Sequence, residues 1–297
     1  MHRTKTLPLQ TFVRQLLQQC LHLLFAPAGL AALAMVLEMS ALHYCGVLTL
    51  WKPPGLGNTT TALWHSFVFT SFWSVGFWLQ AQRPNAGVLL LPPVLFAAKM
   101  HLPVALLQLA GYGTASTGYS LVFQWLAGSL FLLSAIFLLR KQQANKQNHL
   151  PGLEAKPALK FSLLLLLSIV PPAVVAAATE NFRPLYPRYQ LLGPTATIGQ
   201  IAVFETAYLL DLLSMELFFR GLLVMGLPRR LQTYSILPMA LFYFAIHLGK
   251  PLPEAFSSFY GGVLLGVIAL RTGSIWYGWL AHAALALLVE VCTKALP

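Results

Sequence analysis

Long apolar runs recur from Leu21 to Val291, separated by short clusters of Pro, Gly and charge, and they are continuous rather than alternating with a strand's period of two. Read in windows, they fall near 23–50, 62–81, 86–110, 119–139, 161–178, 198–226, 235–249, 254–270 and 275–293. A spanning helix needs roughly 20 apolar residues. The pattern therefore predicts an all-α, polytopic integral membrane protein of eight or nine transmembrane helices, and argues against a closed β-barrel. Breakers mark the turns: Pro53, Pro54 and Gly55; Pro84; Gly111 and Gly113; Gly193 and Pro194; Pro251 and Pro253. Residues 1–140 form an N-terminal four-span region, the polar stretch 141–160 a cytoplasmic linker, and residues 161–297 a second membrane region. No repeat with a period of 20–50 residues is present.

Composition agrees with lipid as the solvent. Apolar residues make up 57% of the 297-residue chain and charged residues 9%, against roughly 25% charged in an ordinary soluble domain. The net charge of +11 is spread over short inter-helix segments without an aromatic-interleaved basic domain, so it points to anionic membrane lipids as partners and not to nucleic acid. With the N-terminus inside, twelve cations lie on the inner side: Arg3, Lys5, Arg14, Arg83, Arg140, Lys141, Lys146, Lys156, Lys160, Arg229, Arg230 and Arg271. Five lie outside: Lys52, Arg183, Arg188, Lys250 and Lys294. This bias predicts a cytoplasmic (inner) membrane protein with its N-terminus inside and its C-terminus outside. The first apolar run begins late and includes Glu38, which argues against a cleaved signal peptide. Cys20, Cys45 and Cys292 form no Cys-x-x-Cys pair and no cluster with histidine, so neither a zinc site nor a disulfide framework is indicated, and no cofactor is implied.

Four ionisable residues interrupt the apolar pattern in the last third of the chain: Glu216, Arg220, His247 and His282. An ionisable group deep in a bilayer costs roughly 2.5 kcal/mol or more, so such groups face one another or a polar cavity. At about 1.5 Å per residue, Glu216 lies ~15 Å from the inner edge of its span, His247 ~16 Å and His282 ~10 Å from theirs. Three helices thus bring ionisable side chains to one layer. Glu216 and Arg220, four apart, share a helix face, and Glu205 falls on the same stripe three turns away.

A carboxylate beside a histidine in a dry cavity can deprotonate water, while a second histidine polarises or protonates a reacting carbonyl. Arg220 would orient the carboxylate and keep it charged. That set fits amide hydrolysis, and no Gly-x-Ser-x-Gly elbow or His-Glu-x-x-His motif directs the chemistry elsewhere. A structural alternative stays open, in which Glu216 and Arg220 form an internal ion pair and the histidines bridge helices.

Glu216-Leu-Phe-Phe-Arg220-Gly, then an aromatic four residues before a histidine (Tyr243 and His247), then His282 one helix later, resembles the CAAX protease and bacteriocin-processing family, also called Abi or type II CAAX endopeptidases. The resemblance covers about residues 160–293. It implies an intramembrane glutamic-type endopeptidase acting on a membrane-associated peptide or protein, with Glu216, Arg220, His247 and His282 as site residues. The family pattern is Glu-Glu-x-x-x-Arg, Phe-x-x-x-His and His-x-x-x-Asn. Here Tyr243 replaces the Phe, Met215 stands at the first Glu, and Ala286 stands at the Asn. In the family the first Glu, with the first histidine, activates water, and the second histidine and the Asn line an oxyanion site. Either Glu216 takes the base role or the protein is inactive. Asp211, one turn before Met215, lies ~5.4 Å along the helix from it, beyond direct proton transfer.

Two further function classes follow from the residues: a catalytically degenerate scaffold that binds a membrane partner, and a transporter using Glu38, Lys99 and the Glu205–Glu216 stripe. Glu38 and Lys99, both near mid-membrane, are expected to pair. His43, His65 and His101 have no common metal-ligand spacing.

Overall fold

The computed structural model describes residues 8–51, 53, 57–112, 117–142, 152–154, 157–179 and 184–295. Most of the predicted linker at 141–160 lies outside the described residues. All regular elements among those described are helical: α1 (Leu9–Phe25), α2 (Pro27–Tyr44), α3 (Asn58–Trp78), α4 (Ala86–Leu109), α5 (Gly118–Gln142), α6 (Leu159–Ala178), a 3-10 turn (Arg188–Leu192) and α7 (Ile198–Glu216). A π-helical segment (Leu217–Met225), α8 (Arg229–Gln232), a 3-10 turn (Thr233–Ser235), α9 (Ile236–Ala245), α10 (Leu252–Thr272) and α11 (Trp276–Ala295) follow.

The protein is thus a polytopic helical membrane protein. Five described helices (α4, α5, α6, α10 and α11) are long and apolar enough to span a bilayer, and the α1–α2 pair makes a sixth if its bent halves cross together. A helix occupies each of the nine predicted windows; α3 and α7, in the windows 62–81 and 198–226, are not among these span candidates, and two further windows differ in shape from expectation. The first, 23–50, is not one straight span. Pro27 drives the preceding Ala26 into an extended conformation (φ −64°, ψ 155°), so α1 and α2 meet at a 69° bend. The seventh, 235–249, holds the ten residues of α9, all of them buried. At ~1.5 Å per residue these cover ~15 Å, half of a hydrocarbon core.

α9 is the pin around which the rest is arranged. It packs on α10 and α3, and also meets α2 and the π segment. Gly76 of α3 lies directly against the Pro238 ring of α9, where any Cβ would collide. Phe96, Phe218, Phe219 and Phe242 form an interlocked aromatic layer, with ring centroids 5.3 Å apart for Phe96–Phe218, 5.2 Å for Phe96–Phe219 and 5.3 Å for Phe219–Phe242. In lipid this layer gains little from water exclusion, and close van der Waals contact supplies its cohesion. α11 packs on α6 and α7, and α5 on α7 and α4, so the N-terminal helices wrap the C-terminal ones on two sides. α7 starts on a capping box in which the Thr197 side chain accepts from the Gln200 N–H and the Gln200 side chain accepts from the Thr197 N–H at 2.8 Å.

The expected Glu38–Lys99 pair does not form. α4 packs beside α3 and α5, while α2 packs beside α1, α9 and α10. Glu38 is consequently exposed, and Lys99 turns to α7. There its Nζ lies 2.8 Å from Asp211 Oδ1 and donates to Oδ2 at 2.9 Å. Ser129 of α5 donates to the same carboxylate at 2.9 Å. This buried cluster keys α4 and α5 to α7.

Candidate active site

Glu216 closes the α-helical part of α7, and Arg220 follows in the π segment. Both side chains are fully buried. Arg220 Nη1 donates to Glu216 Oε1 at 2.8 Å, so the pair read from the i, i+4 spacing is formed. A histidine reaches the same oxygen from another helix: His282 of α11 places Nδ1 2.7 Å from Oε1. The N–H is not aimed well enough to be a linear hydrogen bond, and the contact is best described as a short ion-pair approach. A lone pair facing a carboxylate at that distance would be repelled, so Nδ1 carries a proton.

Glycine makes the approach of α11 feasible. Gly278, one turn before His282, presents bare backbone to the carboxylate. A Cβ there would fall 2.6 Å from Glu216 Cδ and closer still to Oε2.

Tyr243 of α9 connects the remaining groups. Its hydroxyl is 3.0 Å from His282 Nε2, its ring lies under the Arg220 guanidinium at 4.7 Å, and its backbone carbonyl accepts from His247 Nδ1 at 2.7 Å. The Tyr243 and His247 rings are 4.5 Å apart. Because a carbonyl can only accept, His247 holds its proton on Nδ1 and keeps a lone pair on Nε2. No described residue hydrogen-bonds that nitrogen.

The structure thus brings Glu216, Arg220 and His282 into direct contact and sets His247 beside them through Tyr243. The charged core is not fully satisfied. Glu216 Oε2 and Arg220 Nε and Nη2 are buried and make no hydrogen bond to a described residue. Met215 points away to the neighbouring cluster, with Lys99 Nζ 3.8 Å from its sulfur. Asp211 is held by Lys99 and Ser129. Glu205 lies on the same helix in a separate group with Glu290 and Arg188, and Arg188 donates its backbone N–H to Glu290 at 3.1 Å.

The segment that follows His247 is tied down by the N-terminal helices. His43 Nε2 donates to the Leu248 carbonyl at 2.8 Å, Tyr44 Oη donates to the Lys250 carbonyl at 2.6 Å, and the Trp51 indole covers Gly249. Trp51 is in turn held by His65, whose Nε2 donates to its carbonyl at 2.6 Å. His65 Nδ1 is paired with His101 Nε2 at 2.9 Å. Sequence reasoning missed this strap, since it depends on which loops meet in space. It missed Tyr243 and Gly278 as well, although Tyr243 was visible as an aromatic four residues before His247.

The stretch that assembles these groups also matches a known family. The family model described as Type II CAAX prenyl endopeptidase Rce1-like matches residues 197–288, from the α7 cap through His282. No curated protein and no solved structure matches the chain. Residues 197–288 of this chain are therefore similar to the type II CAAX prenyl endopeptidase Rce1-like family, in agreement with the motif resemblance.

Proposed function

We propose that the protein is an intramembrane endopeptidase that hydrolyses a peptide bond in a membrane-associated peptide or protein. The observation that carries this reading is the approach of His282 to Glu216 at 2.7 Å across two helices, beside buried polar atoms that hydrogen-bond no described residue. A purely structural buried ion pair gains from having its remaining valences met. Here Glu216 Oε2 and the outer guanidinium nitrogens keep binding capacity for a polar substrate group.

With Glu216 engaged by Arg220 and His282, the base role expected of it passes to His247, whose Nε2 takes a proton from water as the water oxygen bonds to the substrate carbonyl carbon and the carbonyl π pair moves onto oxygen. The Glu216–His282–Arg220 cluster faces the developing charge. As the carbonyl re-forms, the C–N bond breaks and the leaving amine takes the proton from His247. Glu216 fixes the orientation of His282, with Arg220 holding the carboxylate in place. The chain sits in the inner membrane with its N-terminus inside, surrounded by lipid, and takes no cofactor.

The test is cleavage of a prenylated C-terminal reporter peptide by the full chain in liposomes. Glu216→Ala and His247→Ala should each abolish cleavage while the protein still accumulates and folds. Cleavage at wild-type rate by both variants refutes the proposal. A second reading has its own support: Met215 and Ala286 stand where the family has Glu and Asn, and both nitrogens of His282 already meet protein groups. On that reading the protein is a degenerate member that binds a membrane partner, and the wild type yields no product.

A further inference from the structure

Tyr243 touches both histidines and the arginine, and its hydroxyl is not needed for packing. A phenylalanine would fill the same ring site. A buried hydroxyl costs ~1–3 kcal/mol unless it is bonded, and this one is placed 3.0 Å from His282 Nε2. We infer that the Tyr243 phenol is a catalytic hydrogen-bond donor that meets the oxygen of the reacting carbonyl, an inference that rests on the peptidase reading above.

The argument is one of hydrogen counting. His282 Nδ1–H faces the Glu216 carboxylate. While the imidazole is neutral, its Nε2 can only accept, so the one hydrogen of the phenol is committed to Nε2. When His282 is charged, Nε2–H donates to Oη, and the phenol hydrogen is released to rotate toward another acceptor. The Glu216 carboxylate lies 2.7 Å from the other ring nitrogen and faces the imidazole in either state. Each group in the chain Glu216, His282, Tyr243 thereby sets the next, and the last donor in that chain is the phenol.

Position and rigidity fit the role. The Tyr243 ring is held between Phe219, with centroids 4.9 Å apart, the Arg220 guanidinium at 4.7 Å and the His247 ring at 4.5 Å. A donor locked this way does not have to reorganise as charge develops. It also stands next to His247, the residue whose free Nε2 is assigned to water. Attack and oxyanion stabilisation are thus placed on neighbouring side chains of one short helix and its end.

The experiment compares full-length wild type, Tyr243→Phe and the double variant Tyr243→Phe/Ala286→Asn in liposomes with the same prenylated reporter. Ala286 lies one turn beyond His282 on the same face of α11, so an amide there restores a donor near the imidazole. Loss of a preorganised donor to an oxyanion lowers kcat roughly 100-fold or more. The inference expects that loss in Tyr243→Phe with KM nearly unchanged, and a partial recovery of kcat in the double variant. In parallel, nitrogen-15 histidine NMR in bilayers should show His282 Nε2 losing its hydrogen-bonded signature in Tyr243→Phe. Wild-type kcat in Tyr243→Phe overturns the inference, and so does a rise in kcat, which would make the phenol a plug on His282. If wild type cleaves no reporter, the peptidase reading fails first, the donor role falls with it, and an NMR change then marks a structural bond. Should Tyr243→Phe fail to fold, fluorotyrosine at 243 keeps the ring and acidifies the phenol. A kcat that ignores the added fluorine overturns the inference equally.

Discussion

Gly278 is the most economical place to disturb the site without touching a charged residue. A Cβ at this position lies 2.6 Å from Glu216 Cδ, whereas carbon atoms pack at ~3.5 Å or more. Gly278→Ala must therefore displace the carboxylate, or α11, by about 1 Å. The His282 contact at 2.7 Å then opens to ~3.7 Å, beyond hydrogen-bonding range, and the Arg220 contact at 2.8 Å loosens with it where the carboxylate is the group that moves. Over-packing alone costs ~1–3 kcal/mol, and loosening a buried charge pair adds part of the ~3–5 kcal/mol that full removal of a partner costs. The net expectation is ~2–4 kcal/mol, or about 5–15 °C in thermal midpoint for a chain of this size. Tryptophan fluorescence on heating in detergent, with reporter cleavage on the same preparations, measures both effects. Gly261→Ala is the control, since nothing lies within 4 Å of a Cβ at that site in α10, and its midpoint should hold or rise slightly. Gly278→Ala matching Gly261→Ala in midpoint and keeping full cleavage would refute the close apposition of α11 and the carboxylate.

Lys99→Met leaves Asp211 charged and without its cation, at a cost of ~3–5 kcal/mol. Lys99→Met/Asp211→Leu should recover most of it, and equal thermal midpoints for the single and double variants would disprove the pairing. Tyr44→Phe removes the hydroxyl that donates to the Lys250 carbonyl at 2.6 Å, costing ~1 kcal/mol. It should raise deuterium uptake over residues 248–251 by mass spectrometry, while uptake in α11 stays as in wild type; unchanged uptake at 248–251 would show that the strap does not depend on this bond.

Much of the site was legible because charge in an apolar segment is rare and helical spacing is strict. Glu216 and Arg220 pair as their i, i+4 offset requires, and counting residues from span ends placed His282 at the level of Glu216. The depth argument could not identify which neighbour each histidine would meet, because rotation about the helix axis is not encoded in depth. His247 accordingly bonds the Tyr243 carbonyl and not the carboxylate, among the described residues. The Glu38–Lys99 expectation failed for a related reason: equal depth brings charges together only when their helices are neighbours, and α2 and α4 are separated by α3 and α9. Helix boundaries followed the breakers well, except where Pro27 bends a segment that hydropathy reads as continuous. The π segment left no trace in hydropathy, which cannot separate it from the α-helix it extends.

The shortness of α9 bears on how the protein is made. Ten apolar residues cannot stretch from one headgroup layer to the other, so the segment has no stable place in lipid on its own, where its terminal peptide groups would meet hydrocarbon. It is lodged chiefly against α3, synthesised long before it, and α10, synthesised just after. Biogenesis of the site is therefore a late event: Tyr243 and His247 come to rest beside Glu216 only once the ribosome has delivered the next helix. A chain truncated ahead of α10 would hold the Glu216–Arg220 pair without His282 and without the α10 face on which α9 packs.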